Sequence, residues 1–314
     1  MALRLPDRWV WDSWYIKEND VYHAFYLTAS RGLLDPERRH RNPSVGHAIS
    51  RDLVNWEVLP DALCPGDSPA WDSWTTWTGS VVLGDDGLWW MFYTGSSRED
   101  GGDVQRIGAA TSTDLIVWEK HPDNPLVEAD SRWYETLEGG NWHDQAWRDP
   151  WVFKRDDEWQ MLITARRNEG EKFQRGTIGL ATSKDLNSWQ VKPPIGLTDS
   201  QFGQLEVLQI EQVNGKDVLL FCCGARELSN ERPEKEGKKD GVYSIVIQGD
   251  VNNVNLAESE FFPDETLYAA RLIETPTNGW ALIGFRNIVD GRFVGELCDP
   301  IPVDIVGSKL TRVD

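Results

Sequence analysis

Cysteine and long apolar runs are scarce in this chain, and each shortage excludes a class of protein. The four cysteines include no CxxC or Cys/His spacing of a metal or redox site. Cys222 and Cys223 lie in the apolar run VLLFCCG, as small buried side chains would. The N-terminal MALRLPDRW lacks a signal-type apolar segment, and no apolar run reaches the roughly 18 residues of a membrane span. We therefore expect a cytoplasmic protein without a disulfide framework, a metal site or a membrane span.

Positive charge is also scarce. The 314 residues include 32 Lys and Arg against 51 Asp and Glu, for a net charge of −19. An acidic surface repels phosphate backbones and anionic membranes, so neither nucleic acid nor a membrane is an expected partner. A neutral substrate fits this charge balance, whereas an anionic one would need a local basic pocket.

Tryptophan, by contrast, is abundant, with 17 residues against 7 Tyr and 10 Phe. An indole can fill a β-rich core. Its face can also stack on the C–H face of a sugar ring while its N–H donates a hydrogen bond. We expect both uses, at different residues.

Three segments share the pattern A-x-S-x-D-L-x-x-W: 47–60, 109–122 and 180–193. Their aligned aspartates, Asp52, Asp114 and Asp185, lie 62 and 71 residues apart. Ser and Asp side chains bond nearby backbone N–H groups, so each copy predicts a turn between strands, followed by an inward-packed Trp. Strand-like runs enriched in β-branched and aromatic residues precede the three copies, and two more follow: 21–29, 89–96, 159–167, 217–225 and 279–287.

Five units in about 300 residues give roughly 60 residues per unit, which suits a propeller blade with long loops. We predict an all-β fold: a single five-bladed β-propeller, with four-stranded blades around a central axial site. Residues 1–314 would form one catalytic domain. The polar segment 229–241 is predicted to be a solvated loop.

Three carboxylates inside apolar, strand-like runs are the candidates for that axial site. Asp12 lies in WVWDSWY, Asp149 in AWRDPWVF and Glu206 in GQLEVLQIEQV, each in a different unit. A carboxylate among apolar side chains is costly unless it is paired or functional. Each has a structural alternative: a turn cap at Asp12, an ion pair with Arg148 at Asp149, and an exposed strand position at Glu206. Together they indicate one site, with Glu211 as a less favoured acid.

An ordered set of motifs resembles the five-bladed propellers of glycoside hydrolase families 32 and 68. WVWDSWY is similar to their first-blade nucleophile motif, and WRDPWVF (147–153) to their Arg-Asp-Pro motif. Segment 46–63 resembles the stretch after the first blade of family 32. Segment 71–82, which contains Thr78-Gly79-Ser80, resembles the motif that follows it, and LYAAR (267–271) resembles a late-blade motif. A second WDSW copy contains Asp72, but Asp12 precedes the first-blade strand, as the family nucleophile does.

The resemblance implies retaining hydrolysis of β-fructofuranosidic bonds, in sucrose or fructo-oligosaccharides, through a covalent fructosyl-enzyme. Asp12 would be the nucleophile and Glu206 the acid/base, with their carboxyls about 5–5.5 Å apart. Asp149 would stabilise the oxocarbenium-like transition state. Glu206 would be protonated while Asp12 is ionised, so the site must push their pKa values apart. The substrate-binding residues that the resemblance implies are Trp11, Trp77, Thr78, Arg148 and Tyr268.

Three departures from the family patterns leave the leaving-group side of the substrate open. Trp11 stands where family 32 has Asn, Val207 where it has Cys, and Gln204 where family 68 has a carboxylate. A fructosyltransferase, an arabinan or xylan hydrolase of the same fold, and a catalytically silent sugar-binding propeller are the alternatives. The expected ligand is a small-molecule or oligosaccharide substrate, and no cofactor is expected. The sequence does not determine the oligomeric state. We expect no C-terminal β-sandwich of the family 32 type.

Overall fold

Each of the five predicted strand-like runs forms the second strand of a four-stranded antiparallel sheet. The computed structural model describes residues 3–232 and 238–313. Blade 1 comprises β1 (Arg8–Glu18), β2 (Val21–Ser30), β3 (Ser44–Ser50) and β4 (Glu57–Leu63). Blade 2 comprises β5 (Thr75–Leu83), β6 (Trp89–Ser96), β7 (Gln105–Ser112) and β8 (Glu119–Lys120). Blade 3 comprises β9 (Trp147–Arg155), β10 (Glu158–Arg166), β11 (Gly176–Ser183) and β12 (Trp189–Ile195).

The last two blades follow the same order. Blade 4 comprises β13 (Glu206–Val213), β14 (Lys216–Cys223), β15 (Gly241–Val246) and β16 (Glu260–Phe261). Blade 5 comprises β17 (Leu267–Glu274), β18 (Trp280–Arg286), β21 (Ile301–Val306) and β22 (Lys309–Arg312), with a separate ribbon of β19 (Ile288–Val289) and β20 (Arg292–Phe293). Short 3-10 helices lie at Arg31–Leu33, Pro36–Arg41, Lys172–Gln174, Ala225–Glu227, Val251–Asn253 and Leu256–Glu258.

The repeated motif forms the turn between the third and fourth strands, as predicted. In the third copy, Asp185 Oδ1 accepts hydrogen bonds from the backbone N–H groups of Asn187 (3.0 Å) and Ser188 (2.7 Å). Asp52 and Asp114 accept equivalent bonds in the other two copies. The following tryptophans pack between blades, where Trp118 meets Phe25 edge-on at 5.6 Å and Trp189 meets Phe92 at 5.3 Å.

The first strands of the blades line the axis. β1, β5, β9, β13 and β17 each contact the first strands of their neighbours, and β1 also contacts β17, so the ring is closed. The five-bladed, four-stranded propeller is thereby confirmed. Apolar side chains fill the space between blades, and Trp14 and Trp147 are completely buried there.

Every first strand is interrupted by a bulge at the same level of the ring. In β1 and β5 the extra residue is Asp12 or Thr78. In the other three strands two residues oppose one on the partner strand, at 149–150, 207–208 and 269–270. Asp149, Val207 and Ala269 have positive φ angles of 56°, 54° and 45°, which non-glycine residues adopt only under constraint. Bulges re-aim side chains, and here they turn them towards one point on the axis.

The predicted loop at 229–241 lies in part outside the described residues, which exclude 233–237. On its described flanks no strand is present before β15 begins at Gly241. In the described part of the chain, no helix is long and apolar enough to cross a membrane.

Candidate active site

The bulges open onto a cleft of about 700 Å³ at one end of the axis. All eight residues that the sequence nominates line it, so the structure brings the predicted set together. They come from the first strand of every blade: Trp11 and Asp12, Trp77 and Thr78, Arg148 and Asp149, Glu206, and Tyr268.

Asp12 is held at the junction of the first two blades. Its Oδ2 accepts a 2.5 Å hydrogen bond from the Thr78 hydroxyl. Burial, and then the charge of Asp149, raise the pKa of Asp12 to about 7, although the bond from Thr78 opposes the shift. The second WDSW copy has a different role, because buried Asp72 accepts a hydrogen bond from Tyr93 (2.9 Å) and pairs with Lys120.

Hydrogen bonds from neighbouring strands hold one carboxyl oxygen of Asp149. Its Oδ2 accepts hydrogen bonds from the Thr164 hydroxyl (2.9 Å) and the Val207 N–H (3.1 Å), and its own N–H donates to Thr94. Burial raises the pKa of this carboxyl, and the neighbouring Arg148 guanidinium opposes that rise. The positive φ at Asp149 is therefore stabilised by hydrogen bonds with three other strands, of which Asp149 donates one and accepts two.

Glu206 accepts a hydrogen bond on each carboxyl oxygen. Arg148 Nη2 donates to Oε1 at 2.7 Å, and the Tyr268 hydroxyl donates to Oε2 at 2.5 Å. Arg148 is itself buried, and it also donates to Gln204 (2.8 Å) and Gln105 (3.1 Å). This network fixes the direction in which Glu206 points.

The pKa of Asp12, raised to about 7, bears on the expectation that this carboxyl is ionised during the reaction, because Asp12 is then mainly ionised only above that pH. Burial is the principal cause, and Asp149 adds to it because two carboxylates in one cleft disfavour each other's ionisation.

Sequence reasoning missed a second group of residues, on loops above the cleft. The β2–β3 connection brings in Arg39, His40 and Arg41, and burial lowers the pKa of His40 to about 4. The β14–β15 connection brings in Glu227, whose pKa rises to about 7 through burial and the nearby charge of Glu206. Both charged clusters, PERRHR (36–41) and ARE (225–227), closely follow a predicted second strand, and that shared position is the signal that could have revealed them.

Trp77 and Trp11 form the aromatic wall of the cleft on the side of blades 1 and 2. The Trp77 indole N–H donates to the His40 carbonyl at 2.9 Å. Trp11 is buried, and Arg39 lies over its ring at 5.7 Å. Both indoles are therefore fixed in place, and what they offer a ligand is ring surface.

Glu211, the less favoured acid, lies outside this cleft. It is on β13 beyond the bulge, and it lines a separate pocket with Trp151 and Arg271. Its side chain cannot serve the group around Glu206, because the intervening bulge places it on the other side.

Fold and site together define a β-propeller with an axial, carboxylate-lined cleft suited to a sugar. The sequence matches the glycosyl hydrolases family 32 N-terminal domain over residues 12–292, and the chain belongs to that family.

Two curated relatives and one solved structure illustrate the similarity. A probable sucrose-6-phosphate hydrolase of Psychromonas ingrahamii is 32% identical over 285 residues, covering 88% of this chain and 47% of that protein. The beta-fructofuranosidase insoluble isoenzyme CWINV5 of Arabidopsis thaliana is 34% identical over 178 residues, covering 55% of this chain and 28% of that protein. An inulosucrase from Halalkalicoccus jeotgali bound to kestose superposes with a TM-score of 0.78 at 21% identity, covering 98% of this chain and 87% of that one. The chain spans less than half the length of these two curated relatives.

Proposed function

We propose that the chain is a retaining β-fructofuranosidase that hydrolyses sucrose or fructo-oligosaccharides. The observation that carries this proposal is the convergence of Asp12, Asp149 and Glu206 on one cleft, each held by protein hydrogen bonds. The two curated relatives, a beta-fructofuranosidase and a probable sucrose-6-phosphate hydrolase, support the same chemistry. A cytoplasmic location stays a prediction from the sequence.

In the first step, an Asp12 oxygen attacks the anomeric carbon of the fructosyl unit. The bond to the leaving oxygen breaks, and that oxygen takes a proton from Glu206. Tyr268 and Arg148 direct the Glu206 carboxyl towards the leaving group, since each holds one of its oxygens.

In the second step, water attacks the same carbon and the bond to Asp12 breaks. Glu206 takes a proton from that water, so both carboxyls return to their starting states. The contacts from Thr164, Val207 and Arg148 all reach Asp149 at Oδ2, and we assign its Oδ1 to the fructosyl hydroxyls. Its negative charge would stabilise the oxocarbenium-like transition state.

The charges of the cleft favour a neutral sugar over a phosphorylated one. Acidic residues outnumber basic ones along its walls, and Arg148 is already engaged by Glu206. A phosphate group would therefore meet net negative charge above neutral pH, where Asp12 and Glu227 are ionised. The acidic residues are Asp12, Glu37, Asp144, Asp149, Glu206, Glu227 and Asp240, and the basic ones are Arg39, Arg41, Arg148 and Arg226.

The test is sugar release from sucrose, inulin-type and levan-type oligosaccharides by the purified chain. Asp12→Asn and Glu206→Gln should each lose about 10³-fold or more in kcat. Glu211→Gln is the matched control, because it makes the same change on the same strand outside the cleft and should retain activity. Retention of configuration in the first-formed product, followed by NMR, tests the covalent route.

The outcomes separate the alternatives. Fructose transfer to a second sugar in preference to water would make the chain a fructosyltransferase. Activity on arabinosides alone would indicate the arabinan and xylan type. Sugar binding without turnover of any fructoside or arabinoside would overturn the enzymatic proposal and leave a sugar-binding propeller.

A further inference from the structure

A second pocket lies on the other side of the bulges from the catalytic cleft. Residues before each bulge line the cleft, whereas residues beyond the bulges of β1, β9, β13 and β17 line the second pocket. Its volume is about 220 Å³, below the roughly 300–1,000 Å³ of pockets that hold drug-sized ligands. It is therefore the size of a small ligand, such as one sugar ring.

A buried guanidinium with unused donors, that of Arg271, lies at the wall of this pocket. Arg271 is 1% exposed, and its Nη1 donates to the Val207 and Leu208 carbonyls of the β13 bulge. Within the described part of the chain, its Nε and Nη2 have no hydrogen-bond partner. Those two N–H groups form one edge of the guanidinium fork, which suits a pair of neighbouring acceptor oxygens. Leaving such donors unpaired in a buried site is costly, so a ligand or ordered water is expected there.

The other walls of the pocket combine aromatic surface with a carboxyl. The Arg271 guanidinium lies over the Trp151 ring at 4.9 Å and Lys17 lies over buried Tyr22, which leaves the half-buried Trp280 and Tyr15 as aromatic surface for a ring. Glu211 supplies a carboxyl on the same pocket.

The charges distinguish a neutral sugar from an anion. Lys17 and Glu274 also line the pocket and offset each other, which leaves Arg271 and Glu211 to decide the charge. A carboxylate or phosphate could pair with Arg271, but it would be repelled by ionised Glu211. Vicinal hydroxyls can accept from the Arg271 fork and donate to Glu211, so a sugar satisfies both groups. Burial raises the pKa of Glu211 to about 7, so its carboxyl is able to accept or donate near neutrality.

We propose that this pocket is a second sugar-binding site, specific for a neutral monosaccharide or a single ring of an oligosaccharide, which is recognised by Arg271, Glu211 and Trp280. The site is independent of the reaction proposed for the cleft. Binding there can therefore be measured whether or not the chain hydrolyses fructosides.

The experiment is a titration with D-fructose and with D-glucose, followed by saturation-transfer NMR. Wild type should bind a sugar at the second pocket as well as in the cleft. Trp280→Ala and Glu211→Ala should each raise the Kd of the second pocket by about tenfold or more. Both residues lie outside the cleft, so these variants should keep the kcat/KM of wild type on sucrose. Asp12→Asn and Glu206→Gln should keep the second class of binding.

Trp133→Ala is the matched control, since this half-buried indole lies away from both pockets and its loss should leave the titrations unchanged. Crystals soaked with the bound sugar should show it on Nε and Nη2 of Arg271. A single class of binding that survives Trp280→Ala and Glu211→Ala would overturn the proposal. Binding of acetate or phosphate in place of both sugars would overturn it too, because the pocket would then be an anion site.

Discussion

The Thr78 hydroxyl donates a 2.5 Å hydrogen bond to Oδ2 of Asp12, and this bond joins the inner strands of the first two blades. Both residues occupy the extra position of a bulge. The bond stabilises the ionised form of Asp12, whereas burial and the Asp149 charge disfavour it. Thr78 thus lowers the pKa of Asp12 against the larger effect of burial.

The first prediction concerns the pH dependence of hydrolysis. Asp12 must be ionised to attack, so kcat/KM should fall as the pH drops below about 7, the pKa of Asp12. Thr78→Val removes the hydrogen bond that lowers this pKa, so the acidic limb of the profile should move to higher pH. Measuring kcat/KM on sucrose across the acidic and neutral range checks the shift.

Thr76→Val is the control for that measurement. Thr76 is buried on the same strand, and its hydroxyl has no hydrogen-bond partner within residues 3–232 and 238–313. This variant should leave the acidic limb in place. If the limb is also unmoved in Thr78→Val, the assignment of the limb to Asp12 is wrong.

The second prediction concerns Tyr268. Its hydroxyl donates to Glu206 Oε2, and a hydrogen bond to a charged group contributes about 1.5–3 kcal/mol. Tyr268→Phe should therefore lower kcat on sucrose by about 10- to 100-fold. The loss should be smaller on an aryl fructoside, because its leaving group needs no proton. This difference separates a role of Tyr268 in proton donation by Glu206 from a general loss of packing.

Tyr134→Phe serves as the comparison for Tyr268→Phe. The Tyr134 hydroxyl is buried and donates to the Lys192 carbonyl at 2.7 Å, away from the cleft. Removing it should reduce stability and leave kcat unchanged. An equal loss on both substrates in Tyr268→Phe would assign that residue to binding instead of proton transfer.

The third prediction concerns stability. Glu135 and Arg166 form an ion pair at 2.6 Å with side chains only 3% and 1% exposed. Glu135→Ala leaves the Arg166 guanidinium buried without its counter-charge, which should lower the free energy of unfolding by about 3–5 kcal/mol. Urea denaturation measures this loss, with Glu128→Ala as the contrast. The Glu128 side chain is 62% exposed, so its ion pair with Arg106 should contribute no more than about 1 kcal/mol.

The fourth prediction concerns discrimination against phosphorylated sugars. Glu227 lines the cleft and carries a negative charge once the pH exceeds its pKa of about 7. Glu227→Gln should raise kcat/KM for sucrose 6-phosphate relative to sucrose, mainly above neutral pH, because repulsion of the phosphate is reduced. Glu169→Gln, an exposed change outside the cleft, should not alter the ratio. A constant ratio in Glu227→Gln would show that the phosphate does not approach this wall.

The blades were predictable from sequence because their signals are local. The turn chemistry of Asp52, Asp114 and Asp185 needs only neighbouring backbone N–H groups, and the apolar second strands are continuous in sequence. The carboxylates were found for a similar reason, since each is a charge inside an apolar strand.

Glu227 and the segment Pro36–Arg41 could not be placed in the same way. Both follow a second strand, which indicates the end of the axis on which they lie, but how far each connection reaches over the cleft depends on the packing of the whole ring. The pKa of Asp12 was also beyond reach, because it depends on burial and on Asp149, a residue far away in sequence.

The recurrence of one bulge in all five first strands gives the ring five equivalent backbone positions, one in each blade. Each blade places one bulge at the same level of the ring. Asp12, Thr78 and Asp149 fill three of these positions with polar groups, whereas Val207 and Ala269 fill two with apolar ones. The Asp12–Thr78 hydrogen bond couples the first two positions. Side chains at the positions in blades 3, 4 and 5 can therefore change without breaking that bond.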